Sequence, residues 1–341
     1  MLPRPVFQAL LGLGARFARP IESEGQRLDR YMSTLLGRAR SMSGRQTSIA
    51  ALRRDYAGLA RFAGLPIERS VAVEATTLGD RPARAYAPPL PAPGGLLYFH
   101  GGGFIMGGLD SHDRLLRRLC ARAALPVLAV DYRLAPEHPY PAAHEDALAA
   151  LREAPARLPG PLAVGGDSAG ANLAASACLA LPGTAALQCL LYPIVDAVAG
   201  EAARYPSAKA YGSGYLLDIE AMNACGAMLA PDGDLARVDW SGPFLSPMRH
   251  DLSPMPPAIM TVAGFDPLRD QAYAYAAALR RAGVAASVWL EPALIHGFAD
   301  FAGAVPEAAR AVDRLAARLR RALDALPAAG ALPCPSPSPP P

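Results

Sequence analysis

Lysine is all but missing from this chain: Lys209 is the only one in 341 residues, and arginine carries the rest of the strongly basic charge. No G-K-[ST] triplet exists, which excludes a Walker-type phosphate loop. Cysteine is scarce too. Cys120, Cys178, Cys189, Cys225 and Cys334 are odd in number and lack metal-ligand spacing, so they read as small buried hydrophobes in a reducing compartment. No apolar run approaches the roughly 20 residues that span a bilayer, which argues against stable membrane insertion. The formal net charge is only +3, too little for a whole-chain nucleic-acid footprint. No internal repeat is visible. What is present is 52% hydrophobic and 18% charged residues, enough for a sizeable core and too apolar for general disorder. The length accommodates one large domain or two modest ones.

Residues 1–70 differ from the remainder. They hold twelve arginines against five acids, a net of +7, which leaves −4 for residues 71–341. Leu28, Tyr31, Met32, Leu35 and Leu36 form one apolar helical stripe, and Ile49, Leu52, Tyr56 and Leu59 form a second. Two surface helices covering a core are expected, with docking on a membrane surface or an acidic partner as the sharper alternative. Arg4 followed by apolar residues 6–13 imitates a signal peptide, but Arg16 and Arg19 follow at once without a small-x-small cleavage site. The chain is therefore expected in the cytoplasm.

From Val71 the period changes. Val71, Val73 and Ala75 alternate, and residues 84–87 follow before a Pro-rich turn, so two antiparallel edge strands are expected. Strands are then expected at 96–99, 127–130, 162–164, 187–192, 258–262 and 286–290. Helices are expected around 115–120, 146–151, 169–181, 269–282 and 306–326. Alternation of this kind means βαβ units and a mainly parallel sheet flanked by helices. The pattern divides the chain into an N-terminal helical cap segment (1–70), a core (71–196), a cap or lid insertion (197–254), a second core part (255–326) and a disordered Pro-rich tail (327–341).

Gly166-Asp167-Ser168-Ala169-Gly170 stands between an apolar strand and an Ala/Leu-rich helix. A serine on so sharp a turn needs small neighbours two before and two after, and Gly166 and Gly170 meet that need. Serine at its free pKa is a poor nucleophile; it requires a base, and the base requires an orienting acid. Two later strand ends offer Asp266 and His296, and strand ends of a parallel sheet gather at its carboxyl edge. Asp266 could instead be a simple helix N-cap, and Asp270 is the fallback acid. His100, His112, His138, His144 and His250 read as structural or solvent-facing. Gly101-Gly102-Gly103 after a strand can bring backbone N–H groups close to a carbonyl oxygen that becomes negative, and Ala169 N–H lies at a helix start.

Together these segments resemble the hormone-sensitive-lipase-like branch of the α/β-hydrolases, the bacterial carboxylesterases with an H-G-G-G motif. The matching stretches are His100-Gly101-Gly102-Gly103-Phe104, residues 131–141 (Asp-Tyr-Arg-Leu-Ala-Pro-Glu-His-Pro-Tyr-Pro), residues 166–170, Asp266-Pro267-Leu268-Arg269-Asp270 and His296-Gly297-Phe298. The resemblance implies an α/β-hydrolase fold with a helical cap. It further implies Ser168 as nucleophile, His296 as general base then acid, Asp266 as orienting acid, and Gly102, Gly103 and Ala169 as oxyanion donors. It implies no metal or organic cofactor and a small acyl ester of short or medium chain as substrate. A lipase, an amidase and a non-catalytic ligand-binding receptor are the alternatives, and a homodimer is left open. The family usually has glycine where Ala171 stands and Glu-Gly where Gln271-Ala272 stand, which leaves pocket detail open.

Overall fold

The computed structural model describes residues 4–42, 48–198 and 204–326. Helix α1 (Arg4–Phe17) leads into a small hairpin of β1 (Glu22–Ser23) and β2 (Gln26–Arg27), then α2 (Arg30–Met42) and α3 (Ile49–Ala63). The two expected stripes are α2 and α3. The additional helix is α1, which lies on α2. Its apolar residues point both ways: Leu11 and Ala15 are buried while Leu10, Leu13 and Phe17 are exposed. Its apolar period is as pronounced as those of α2 and α3, but in the sequence residues 6–13 are weighed only as an imitation of a signal peptide.

The main sheet is built from β3 (Ala72–Leu78), β4 (Arg81–Ala87), β5 (Gly95–Phe99), β6 (Val127–Val130), β7 (Leu162–Asp167), β8 (Leu187–Leu191), β9 (Ala258–Phe265) and β10 (Ala286–Ile295). Its eight strands run in the order β10-β9-β8-β7-β5-β6-β4-β3. Strands β5 through β10 run parallel to one another, and β4 pairs antiparallel with both β6 and β3 at one end. Strand β4 begins at Arg81 rather than at residue 84, because Gly79 and Asp80 both adopt positive φ and make a tight turn.

The continuous apolar runs have a simple cause: both faces of the sheet are covered. Leu97, Phe99, Leu128, Val130 and Val164 face one core with α5 (Ala142–Arg157), α6 (Ala169–Ala180) and α9 (Arg269–Arg281). Leu96, Tyr98, Val127, Ala129 and Ala163 face the other with α4 (Leu109–Ala123) and α10 (Pro306–Asp324). Leu11, Leu28 and Met32 of the N-terminal segment join this second core.

Strands β8 and β9 are paired neighbours, yet more than sixty residues separate them in sequence. Among the described residues, that excursion carries α7 (Pro206–Tyr211), α8 (Ile219–Leu229) and the short 3₁₀ turns Pro231–Gly233, Leu235–Arg237 and Pro247–Arg249. The Pro-rich tail at 327–341, Cys334 within it, and residues 199–203 of the insertion lie outside the described residues.

Candidate active site

Ser168 sits where β7 turns into α6, at φ 54° and ψ −117°. An L-residue holds such a backbone only under constraint. The constraint is close packing on both sides. A Cβ on Gly166 would stand 2.4 Å from the Gly170 carbonyl oxygen, and one on Gly170 only 2.0 Å from the Phe99 oxygen. Both glycines are therefore demanded by the turn, as the G-x-S-x-G spacing predicts. The turn leaves Ser168 partly accessible while Asp167 and Ala169 are buried.

Asp266 follows β9 directly and His296 follows β10 directly. The fold brings both to Ser168. His296 Nδ1 lies 2.9 Å from Asp266 Oδ2, and His296 Nε2 lies 2.9 Å from Ser168 Oγ. A carboxylate only accepts, so Nδ1 carries the proton and Nε2 is left to accept the serine O–H. Asp266 is fully buried, and its other oxygen accepts the Leu268 N–H at 2.7 Å. Asp266 is thus not the helix N-cap weighed for it, since that position is Leu268 and has no side-chain cap; its bond to the Leu268 N–H closes a turn ahead of α9 and coexists with its bond to His296. Asp270 points elsewhere, accepting from the Ser207 N–H at 2.8 Å and from Arg269 at 3.0 Å.

The glycine loop after β5 starts against the turn that bears Ser168, where the Gly101 N–H donates to Asp167. Gly102 and Gly103 have φ of 121° and 62°, and a Cβ on Gly102 would stand 2.2 Å from the Met106 oxygen. Among the described residues, no backbone oxygen outside regular helix and strand pairing accepts from the amides of Gly102, Gly103 or Ala169. Such unpaired donors beside a serine hydroxyl can receive a developing oxyanion. Cys225 of α8 closes the space above, its Sγ 3.1 Å from where a Cβ of Gly103 would lie.

Asp167 pins this loop to the turn that bears Ser168. Its carboxylate accepts from the Gly101 N–H and the Tyr98 hydroxyl, each at 2.9 Å, and faces His112 Nε2 at 3.2 Å. Burial pushes Asp167 up, but the His112 charge and hydrogen bond outweigh it and hold the carboxyl below its ordinary value. Burial likewise opposes the charge on His112, and Asp167 outweighs it, so His112 is raised. His100 behaves differently. Burial drives it down to about 3, and it stacks on Tyr132 at 4.1 Å between ring centres. His144 is buried against Asn172 and Phe244 and is lowered to about 4, chiefly by burial. Both stay neutral at physiological pH and serve packing.

Several residues around the site escaped the sequence reading. Arg53 of α3 donates to the backbone oxygens of Ile105 at 2.7 Å and Ala135 at 2.9 Å, so the N-terminal segment grips the end of the glycine loop. The apolar stripe of α3 through Leu52 and Tyr56 gives no sign of this role. Asp167 carries a weak signal, a carboxylate at the end of the otherwise apolar β7, whereas His112 lies in the polar run Asp110–Arg114 and carries none. Among the described residues, no group of three or more His, Cys, Asp or Glu could hold a metal ion, and no helix is long and apolar enough to cross a membrane.

A family described as alpha/beta hydrolase fold matches residues 96–300. Carboxylesterase NlhH of Mycobacterium tuberculosis is 40% identical over 273 residues, covering 76% of this chain and 83% of that protein. Carboxylic ester hydrolase LipN of the same species is 43% identical over 240 residues; the match spans 64% of this chain and 61% of LipN's own length. Among solved structures, the hyperthermophilic esterase of Pyrobaculum calidifontis superposes with a TM-score of 0.75 at 32% identity, over 84% of this chain and 97% of that one.

Proposed function

This chain belongs to the α/β-hydrolase family, in its hormone-sensitive-lipase-like branch, and from that premise we propose that it is a serine carboxylesterase of short- to medium-chain acyl esters. The observation that carries the reading is the unbroken chain Ser168–His296–Asp266, with both links at 2.9 Å, at the carboxyl ends of three parallel strands. Ser168 Oγ attacks the ester carbonyl as His296 Nε2 takes its proton. Asp266 keeps the imidazole in the tautomer that can do so and steadies the imidazolium that forms. The carbonyl oxygen gathers charge facing the amides of Gly102, Gly103 and Ala169, where losing one donor raises the barrier by about 3–4 kcal/mol. His296 then protonates the departing alcohol, and water activated by the same imidazole releases the acid.

The N-terminal helices and the insertion between β8 and β9 form the cap in this reading, with α8 and Cys225 limiting room above the oxyanion donors. That restriction favours short or medium acyl chains. The buried free thiols Cys120, Cys178 and Cys189 fit a reducing cytoplasm. The test is turnover of p-nitrophenyl esters from acetate to decanoate by the purified protein and by Ser168→Ala. Expected is activity that falls off at the long end and is lost in the variant with its fold intact. Absence of turnover across the whole series would refute the assignment and leave the non-catalytic receptor.

A further inference from the structure

Beside the Ser168–His296 pair lies a second set of ionisable groups that acyl transfer, as described, leaves unused. Asp300 follows His296 within the short helical turn Phe298–Phe301. Its backbone N–H donates to the Gly297 oxygen at 3.1 Å, and its Oδ2 lies 3.7 Å from where a Cβ of Gly297 would stand. The carboxylate is thus folded back against the residue next to His296. Tyr56, 244 residues earlier on α3, donates its hydroxyl to this carboxylate at 3.2 Å. The Tyr56 ring in turn stands 6.4 Å from His112, the partner of Asp167.

Every neighbouring element contributes to the field at Asp300. Tyr56 faces it from α3, His112 from α4, Asp167 from the end of β7, Tyr192 from the end of β8 and His296 from the end of β10. On α10, Glu307 is taken up by Arg310 and Arg314 instead. His112 and Asp167 carry opposite charges and lie together, so the carboxylate of Asp300 is a surplus negative charge that interacts with the His296 imidazole. In the resting enzyme that imidazole is neutral; in each of the two transition states it becomes an imidazolium. A fixed anion nearby stabilises the second form more than the first.

We propose that Asp300 is a positioning residue for this reaction: held by Tyr56, it orders the turn that bears His296 and opposes the positive charge that forms there in each half-cycle. The inference rests on the esterase reading above, and it assigns the N-terminal segment a part in the chemistry through Tyr56. Burial, opposed in part by His112, pushes Asp300 up to about 6, so its charge is lost within the range where activity can be measured.

The experiment compares kcat/KM for p-nitrophenyl acetate against pH in the full-length wild type, D300N and Y56F. Removing the anion in D300N makes the imidazolium less favourable. The acid limb is expected to move to lower pH by about half a unit or more, with kcat down about tenfold and KM within about twofold. Removing the phenol in Y56F leaves the carboxylate without a donor, so it takes up its proton at higher pH. That acid limb is expected to move upward. Opposite displacements are the signature of a charge effect; a merely structural role would lower activity while leaving both limbs in place. Unmoved limbs, or limbs moving the same way, in an active wild type would overturn this inference alone. Where D300N fails to fold, the direction of the Y56F limb decides. A wild type without ester turnover would overturn the esterase reading first, and this inference with it.

Discussion

A single methyl group placed on Gly170 is the sharpest available test of how the serine turn is built. Its Cβ would stand 2.0 Å from the Phe99 oxygen, 2.5 Å from the His100 oxygen and 2.6 Å from the Phe99 carbonyl carbon. Carbon and oxygen in contact keep about 3.4 Å or more, so the gap must open by more than about 1 Å. Neither oxygen can retreat readily. Phe99 ends β5, which is paired with β6 on one side and β7 on the other. The first turn of α6 must therefore slide off the sheet. Overpacking of this kind costs about 1–3 kcal/mol, and a clash of backbone with backbone belongs at the upper end. Alanine regains at most about 1 kcal/mol over glycine in a helix, which leaves Gly170→Ala about 2 kcal/mol less stable than wild type. The slide also carries Ser168 and the Ala169 amide out of register, and a displacement near 1 Å lowers turnover about a hundredfold. Urea denaturation followed by circular dichroism, with ester turnover on the same samples, reads both effects. Gly37→Ala is the control: nothing lies within 4 Å of that Cβ, and no loss of stability is expected there. Equal stability and turnover in Gly170→Ala and wild type would show that this contact does not hold the turn.

Asp266→Asn keeps the shape of the side chain but favours the wrong imidazole tautomer; kcat should fall about 10⁴-fold with the far-ultraviolet spectrum unchanged, and a loss below tenfold would remove Asp266 from its role. Arg53→Ala strips a charged donor from the Ile105 and Ala135 oxygens and should lower unfolding stability by about 2 kcal/mol, read from the urea midpoint; an unchanged midpoint would show that solvent replaces those bonds. The Asp167–His112 pair sets a pH window. Asp167 is held low, so its contribution exists above the ordinary carboxylate range and is lost as pH falls through its folded value. His112 is held above 6.5, so its contribution is complete below 6.5 and lost as pH rises through its folded value. The urea midpoint of wild type should decline on both sides of that window, and His112→Asn should abolish the alkaline decline; identical profiles would refute the coupling.

What could be read from the sequence divides along a physical line. Features that rest on local backbone demands left marks. Strand β6 was bounded correctly at Val127–Val130 because a strand covered on both faces is apolar throughout. Ser168, Asp266 and His296 were legible together because each directly follows such a run, although 128 and 30 residues separate the bonded pairs. Where chemistry and backbone disagree, the reading failed. Pro82 argues against a strand, yet β4 passes through it, because pairing with β6 begins only at Ala83 and asks no N–H of the proline. Pro292 likewise sits inside β10, where the register with β9 shifts between Glu291 and Ile295. The pairing of Tyr56 with Asp300 left no mark at all. Tyr56 and Asp300 share no spacing or period, and nothing local about either requires the other; only the sheet order, which sets α3 against the turn after β10, makes them neighbours. A nucleophile turn constrains the residues beside it and so writes itself into the chain, whereas a hydrogen bond between distant elements constrains only the fold. Partners of that kind are therefore to be sought in coordinates, even where the residues that flank a strained turn can be named from sequence.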